Sequence, residues 1–161
     1  MEWDQKIIKL ATELYNLLSK TNKLISTAES CTGGMLAAYI TAIPGASKIF
    51  KSAIVTYSNM SKIELLKVPE NTLSFYGAVS AECATAMADG CKTITGSDIT
   101  LSVTGIAGPT GSSKNKPIGL VYFGLNNNNI TQSYKKNFNG DRHQIRNQSC
   151  KYAIELILDI I

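Results

Sequence analysis

Short strand-like runs alternate along this chain with longer stretches whose apolar residues recur at helical spacing, and that alternation restricts the fold to helices packed on a sheet. Over residues 4–20 the apolar groups Ile7, Ile8, Ala11, Leu14, Leu17 and Leu18 form a helical stripe. Lys23 to Thr27 predicts a short strand. Gly33-Gly34 opens a helical stretch that runs through Ile43 and stops at Pro44-Gly45. Ile49 to Tyr57 reads as a second strand. Ser61-Lys62-Ile63-Glu64 has the spacing of a capping box, so a helix starts there and ends before Pro69. Ser80 caps a helix with the stripe Cys83, Met87, Cys91 and Ile94, closed by Gly96. Ile99 to Val103 predicts a third strand. Ile118 to Leu125 and Ile130 to Phe138 alternate as two more, joined by the polar turn Asn126 to Asn129. Ile145, Tyr152, Ala153, Leu156, Ile157 and Ile160 mark a closing helix over Asp141 to Ile160. The expected fold is a single α/β domain, its sheet covered on both faces and made mixed by the terminal hairpin.

Composition narrows the function. Hydrophobic residues make up 44% and charged residues 17% of 161, which supports a real core and excludes disorder. The net charge of +4 comes from scattered lysines, so nucleic acid is not an expected partner. No apolar run reaches the roughly 20 residues of a membrane span. The start, Met1-Glu2-Trp3-Asp4, is acidic and unlike a signal peptide, so a cytoplasmic location is expected. Cys31, Cys83, Cys91 and Cys150 form no C-x-x-C pair, and His143 is the only histidine. They read as free thiols, and neither a metal nor another cofactor is expected.

Several segments look built for chemistry. In Ala28-Glu29-Ser30-Cys31-Thr32-Gly33-Gly34 a strand gives way to a helix, and the unpaired amides of a helix start are ready donors for an oxyanion. The plainer alternative is that Ser30 or Thr32 is an N-cap. In Val55-Thr56-Tyr57-Ser58-Asn59-Met60-Ser61-Lys62, Lys62 falls in a helix's first turn. There the positive end of the dipole would lower its pKa toward that of a base working near neutrality. Alternatively Lys62 is solvated and Tyr57 packs at a sheet edge. Gly105-Ile106-Ala107-Gly108-Pro109-Thr110-Gly111 follows a strand and suits binding of phosphate or a carbonyl by backbone amides, or is a surface turn. It is not a P-loop, because Lys114 comes too late. Arg142, next to the capping Asp141, either clamps an anion or points into water. No G-x-S-x-G surrounds any serine, so a Ser-His-Asp hydrolase is not expected. Serine with a lysine base is the pairing this composition permits most easily, with Cys31 and His143 as a poorer one.

Taken together, Thr27 to Gly34, Val55 to Asn59, Tyr76 to Ser80, Thr104 to Pro109, Lys116 to Phe123 and Gly140 to Arg142 resemble the CinA C-terminal domain family, which includes free-standing nicotinamide-nucleotide amidases. The resemblance spans about residues 5–160. It implies a three-layer α/β/α sandwich, with residues 1–161 as one amidase domain. It also implies metal-free hydrolysis of nicotinamide mononucleotide to nicotinic acid mononucleotide and ammonia, a step of NAD recycling. Ser30 then falls on the nucleophile, Lys62 on the general base and Tyr57 on an assisting tyrosine. Thr104 and Arg142 fall on ligand-binding positions, beside a binding set of Cys31, Thr32, Gly33, Gly34, Gly105, Ile106, Ala107 and Gly108. The expected partner is a small-molecule nucleotide, with a homo-oligomer left open. This chain begins too late to hold the N-terminal domain of larger family members, so that domain's activities are not expected. Two other readings stay open: an inactive nucleotide-binding module, and an amidase for a different carboxamide.

Overall fold

The computed structural model describes residues 3–161; Met1 and Glu2, part of the acidic start discussed above, lie outside them. Helix α1 (Gln5–Thr21) begins at Asp4, whose side chain accepts from the Lys6 amide. Strand β1 (Ile25–Glu29) leads through a tight turn into α2 (Met35–Thr41). A 3₁₀ turn (Ala46–Lys48) precedes β2 (Phe50–Val55). Helices α3 (Asn59–Leu66), α4 (Glu70–Tyr76) and α5 (Ala81–Thr95) follow, then β3 (Ile99–Gly105), the hairpin β4 (Leu120–Asn127) and β5 (Ile130–Asn137), and α6 (Arg142–Leu158). Among the described residues no helix is long and apolar enough to cross a membrane.

The strands form one sheet in the order β2-β1-β3-β4-β5. β1 pairs in parallel with both β2 and β3, whereas β4 runs antiparallel to β3 and β5, so the sheet is mixed. Helices α1, α2 and α6 pack together on one face, and α3 and α4 join α5 on the other. The chain is therefore the expected three-layer α/β/α sandwich. Strand alternation assigns the residues of β1 to these layers. Ile25 enters the core under α1, α2 and α6, while Ala28 packs with Leu66, Cys83, Met87 and Cys91 under α3 and α5.

Several element ends differ from the sequence-based expectation. β1 starts at Ile25 rather than Lys23 and runs on to Glu29, because its pairing with both neighbours continues to that residue. β2 stops at Val55, leaving Tyr57 outside the sheet. The capping box of α3 is Ser58 with Ser61, not Ser61 with Glu64, so the helix begins at Asn59. Ile94 is half exposed, since the buried stripe of α5 passes instead through Ala84, Ala88 and Thr95. Leu17 is exposed on the outer side of α1. The helix α4 has no buried residue, and so left no apolar period to read.

Helix α3 lies hard against α5. A Cβ at Gly90 would come within 1.9 Å of the Leu66 carbonyl oxygen, so only glycine permits this approach. Gly90→Ala is expected to lower the unfolding free energy by about 1–3 kcal/mol through overpacking, measured as a drop in the urea midpoint at unchanged slope.

Candidate active site

The Ser30 turn starts where β1 leaves the sheet. The Ser30 amide still donates to the Val103 carbonyl at 2.9 Å, so its backbone is held as an extension of the β1–β3 ladder. Alternation then separates two neighbours. Glu29 points toward α2, and Ser30 toward the layer of α3 and α5. Ser30 is nearly buried, at 8% exposure.

Lys62 reaches it from α3. Helical side chains tilt toward the N-terminus of their helix, so the Lys62 stem runs back over the first turn. Its Nζ donates to Ser30 Oγ at 2.8 Å and to the Thr56 carbonyl at 2.7 Å. Thr56 is itself fixed, because its amide donates to the Glu29 carbonyl at 2.8 Å. Lys62 is only 1% exposed, and no carboxylate pairs with it in an ion pair among the described residues. Its pKa lies below the usual lysine value because burial penalises the ammonium, an effect opposed by the nearby Cys83 and Cys31 thiols. The direction is the one expected for a lysine in a helix's first turn, but its dominant cause is loss of water rather than the helix dipole.

A cavity of about 280 Å³ opens over this pair. It lies at the C-terminal ends of β1 and β3, the usual location for ligands in open α/β sheets. Tyr57, Asn59, Thr104, the Gly105–Gly108 segment and Arg142 line it together with Ser30, Cys31 and Lys62. Among the described residues no carboxylate lines it, whereas the Arg142 guanidinium does, so its electrostatics suit an anionic ligand. The volume falls at the lower end of the roughly 300–1,000 Å³ common for small-molecule sites. Ala107 and Gly108 have amides with no backbone acceptor among the described residues.

Arg142, the first residue of α6, neither points freely into water nor stands unengaged. Its Nη1 donates to the Gly108 carbonyl at 2.8 Å and its Nη2 to Tyr57 Oη at 2.7 Å. It thereby ties the glycine loop to the segment after β2. Tyr57 is 61% exposed and sits at the cavity mouth rather than packed on the sheet edge. Thr104 is buried, and its hydroxyl donates to the Ala78 carbonyl at 2.7 Å, bringing Ala78 and Val79 to the cavity wall.

Thr32, Gly33 and Gly34 do not line this cavity. They lead over the edge of the sheet to α2, on the other face. There the Glu29 carboxylate already takes the helix amides: Oε2 accepts from Gly34 and Leu36 at 3.0 and 3.1 Å, and Oε1 from Ala37 at 2.9 Å. Of the amides that the sequence offered to an oxyanion, Gly34 is thus occupied by the Glu29 side chain and Gly33 by the Ser30 carbonyl. Cys31 stays in the cavity lining, but burial pushes its thiol up to about 12, which removes the thiolate a nucleophile needs.

Sequence reasoning did not single out Glu29, Thr56 or Arg146. Arg146 sits one turn beyond Arg142 on α6, and its Nη2 donates to the Thr32 carbonyl at 2.6 Å. The i, i+4 spacing of the two arginines was the available signal, since it puts both on one helix face.

Stability should carry the mark of the buried lysine. Because the folded state depresses its pKa, folding holds fewer protons than the unfolded chain, and stability rises with pH up to about 10.5, the unfolded value. Lys62→Met removes this slope. The melting temperature of the variant, followed from pH 7 to 10, is expected to gain on the wild type at the acid end and to lose that lead at the basic end.

Known proteins place this architecture. The model of the CinA C-terminal domain matches residues 7–161. A CinA-like protein of Endomicrobium trichonymphae is 51% identical over 148 residues, covering 92% of this chain and 35% of that protein. A CinA-like protein of Fusobacterium nucleatum is 46% identical over 160 residues, covering 99% of this chain and 39% of its own length. The chain thus spans little more than a third of these curated relatives. Among solved structures, the competence/damage inducible protein CihA of Agrobacterium tumefaciens superposes with a TM-score of 0.95 at 34% identity, covering 99% of this chain and 98% of that one. These matches, with the mixed five-stranded sheet and its shared topology, make the chain a member of the CinA C-terminal domain family.

Proposed function

We propose that the chain is a Ser-Lys amidase acting on the carboxamide of a nicotinamide mononucleotide. The observation that carries this reading is the 2.8 Å contact between Lys62 Nζ and Ser30 Oγ at the floor of a cavity that no carboxylate lines among the described residues. Burial favours the neutral amine of Lys62, which has one lone pair and two N–H groups. With one N–H on the Thr56 carbonyl, the lone pair can face Ser30, and the 2.8 Å contact then runs from the serine hydroxyl to the amine.

Chemically, Lys62 takes the Ser30 proton as Oγ attacks the carboxamide carbon. The tetrahedral oxyanion needs a preorganised donor. The amides of Cys31 and Thr32 have no backbone acceptor among the described residues, and of these two residues Cys31 lines the cavity, so its amide is the candidate donor. Such a donor lowers the barrier by about 3 kcal/mol. The lysinium returns the proton to the leaving ammonia, and water then hydrolyses the acyl-serine to the acid. The Arg142 guanidinium and the open amides of Ala107 and Gly108 suit the ribose phosphate, and Arg142 also holds the loop that presents those amides. Tyr57, held by Arg142 at the mouth, would cover the ligand's ring.

The deciding assay follows ammonia and nicotinic acid mononucleotide formed from nicotinamide mononucleotide. Wild type is expected to turn over. Ser30→Ala is expected to lose activity by on the order of 10³-fold or more, with its circular dichroism spectrum unchanged. Turnover that survives this change removes Ser30 from the mechanism. Thermal stabilisation by the nucleotide without ammonia release would mark a binding module. Release from other carboxamides alone would mark a different amidase. Equal hydrolysis of the non-phosphorylated riboside would remove the phosphate site.

The pH profile makes a separate prediction. Activity requires neutral Lys62, so kcat/KM should rise with pH through its lowered pKa. Cys31→Ser should leave that acid limb in place and the activity within about threefold; complete loss of turnover would give Cys31 a role that its raised pKa does not predict.

A further inference from the structure

One buried charge next to the nucleophile is used by none of these steps. Glu29 is fully buried, and its carboxylate accepts from the Gly34, Leu36 and Ala37 amides and from Thr27 Oγ1 at 3.3 Å. The N-cap of α2 is Gly34, in the left-handed region at φ +90°, and has no side chain to cap the helix. The cap comes instead from five residues upstream, so the carboxylate closes a ring over Ser30, Cys31, Thr32 and Gly33. The Glu29 backbone is pinned as well, within the β1 ladders and by the Thr56 amide. One end of the Ser30 turn is therefore fixed by the sheet and the other by the Glu29 side chain.

We propose that Glu29 is a positioning residue of the Ser-Lys centre: by docking on the first amides of α2 it fixes the turn that aims Ser30 Oγ at Lys62 and keeps Cys31 at the cavity wall. The inference rests on the amidase reading for Ser30 and Lys62. Both carboxylate oxygens are needed, because Gly34 and Leu36 donate to one and Ala37 to the other. Glutamine keeps the shape but carries an NH₂ in place of one oxygen, so a donor would face a donor. The turn would lose one of its ties while the cavity walls formed by the Gly105–Gly108 segment and Arg142 stay in place.

The test compares wild type with Glu29→Gln, Glu29→Asp and Ala38→Gly. The last weakens α2 without touching the cap. Two rates are measured well below the melting temperature of each: ammonia release from nicotinamide mononucleotide, and labelling of Ser30 by a fluorophosphonate, read by intact mass. Expected is a fall of tenfold or more in kcat and in labelling for Glu29→Gln, with KM within twofold, and unchanged rates for Ala38→Gly. If Glu29→Gln does not fold, Glu29→Asp carries the same expectation, since it keeps the charge but loses a methylene of reach. Rates within twofold of wild type in a folded Glu29 variant overturn the proposal, as does an equal loss in Ala38→Gly. A wild type that is labelled but releases no ammonia defeats only the substrate reading, and labelling rates then decide Glu29. A wild type that is never labelled at Ser30 defeats the Ser-Lys reading and this inference with it.

Discussion

A lysine amine buried in the protein without a carboxylate is costly as a cation, and the arrangement around Lys62 follows from that cost. The Thr56 carbonyl and the Ser30 hydroxyl supply the only hydrogen-bond partners Nζ has among the described residues, and neither carries a compensating charge. The group is thereby biased toward its neutral form, which is the form a base requires. A residue chosen for stability alone would be apolar here. The lysine's helix, α3, ends hard against α5, where Leu66 leaves no room for a side chain at Gly90.

The sheet divides the labour around the nucleophile. Its α3 and α5 face holds the lysine, and its other face holds the buried Glu29 that caps α2. Ser30 and Glu29 are consecutive in sequence, yet the strand period turns their side chains to opposite layers. Two opposite ionisable groups can therefore be engaged beside one nucleophile without pairing with each other. Helix α6 complements this division, with Arg142 on the Gly108 carbonyl and Arg146 on the Thr32 carbonyl. Each arginine steadies one of the two loops that meet at the cavity.

How far the site could be read in advance depended on how local each signal is. Ser30, the Gly105–Gly108 loop and Arg142 sit at element ends, where strand and helix punctuation mark them. Tyr57 and Lys62 were placed near the right turn, though the capping box lay three residues earlier than expected, at Ser58. The amides at the start of α2 carried a correct local argument with the wrong occupant, since a helix start attracts an anion and Glu29 is that anion. Nothing local distinguishes an internal carboxylate from an external one.

The sequence by itself determined the alternation of elements, the mixed sheet and the family, because apolar period, capping residues and motif blocks are properties of contiguous residues. Only the tertiary structure decided that Lys62 is buried against a serine 32 positions away, and that Arg142 engages a tyrosine 85 positions away. Those contacts depend on how closely helices approach one another and which face of the sheet each covers. Packing across the whole chain sets both, and the spacing of neighbouring residues does not encode them.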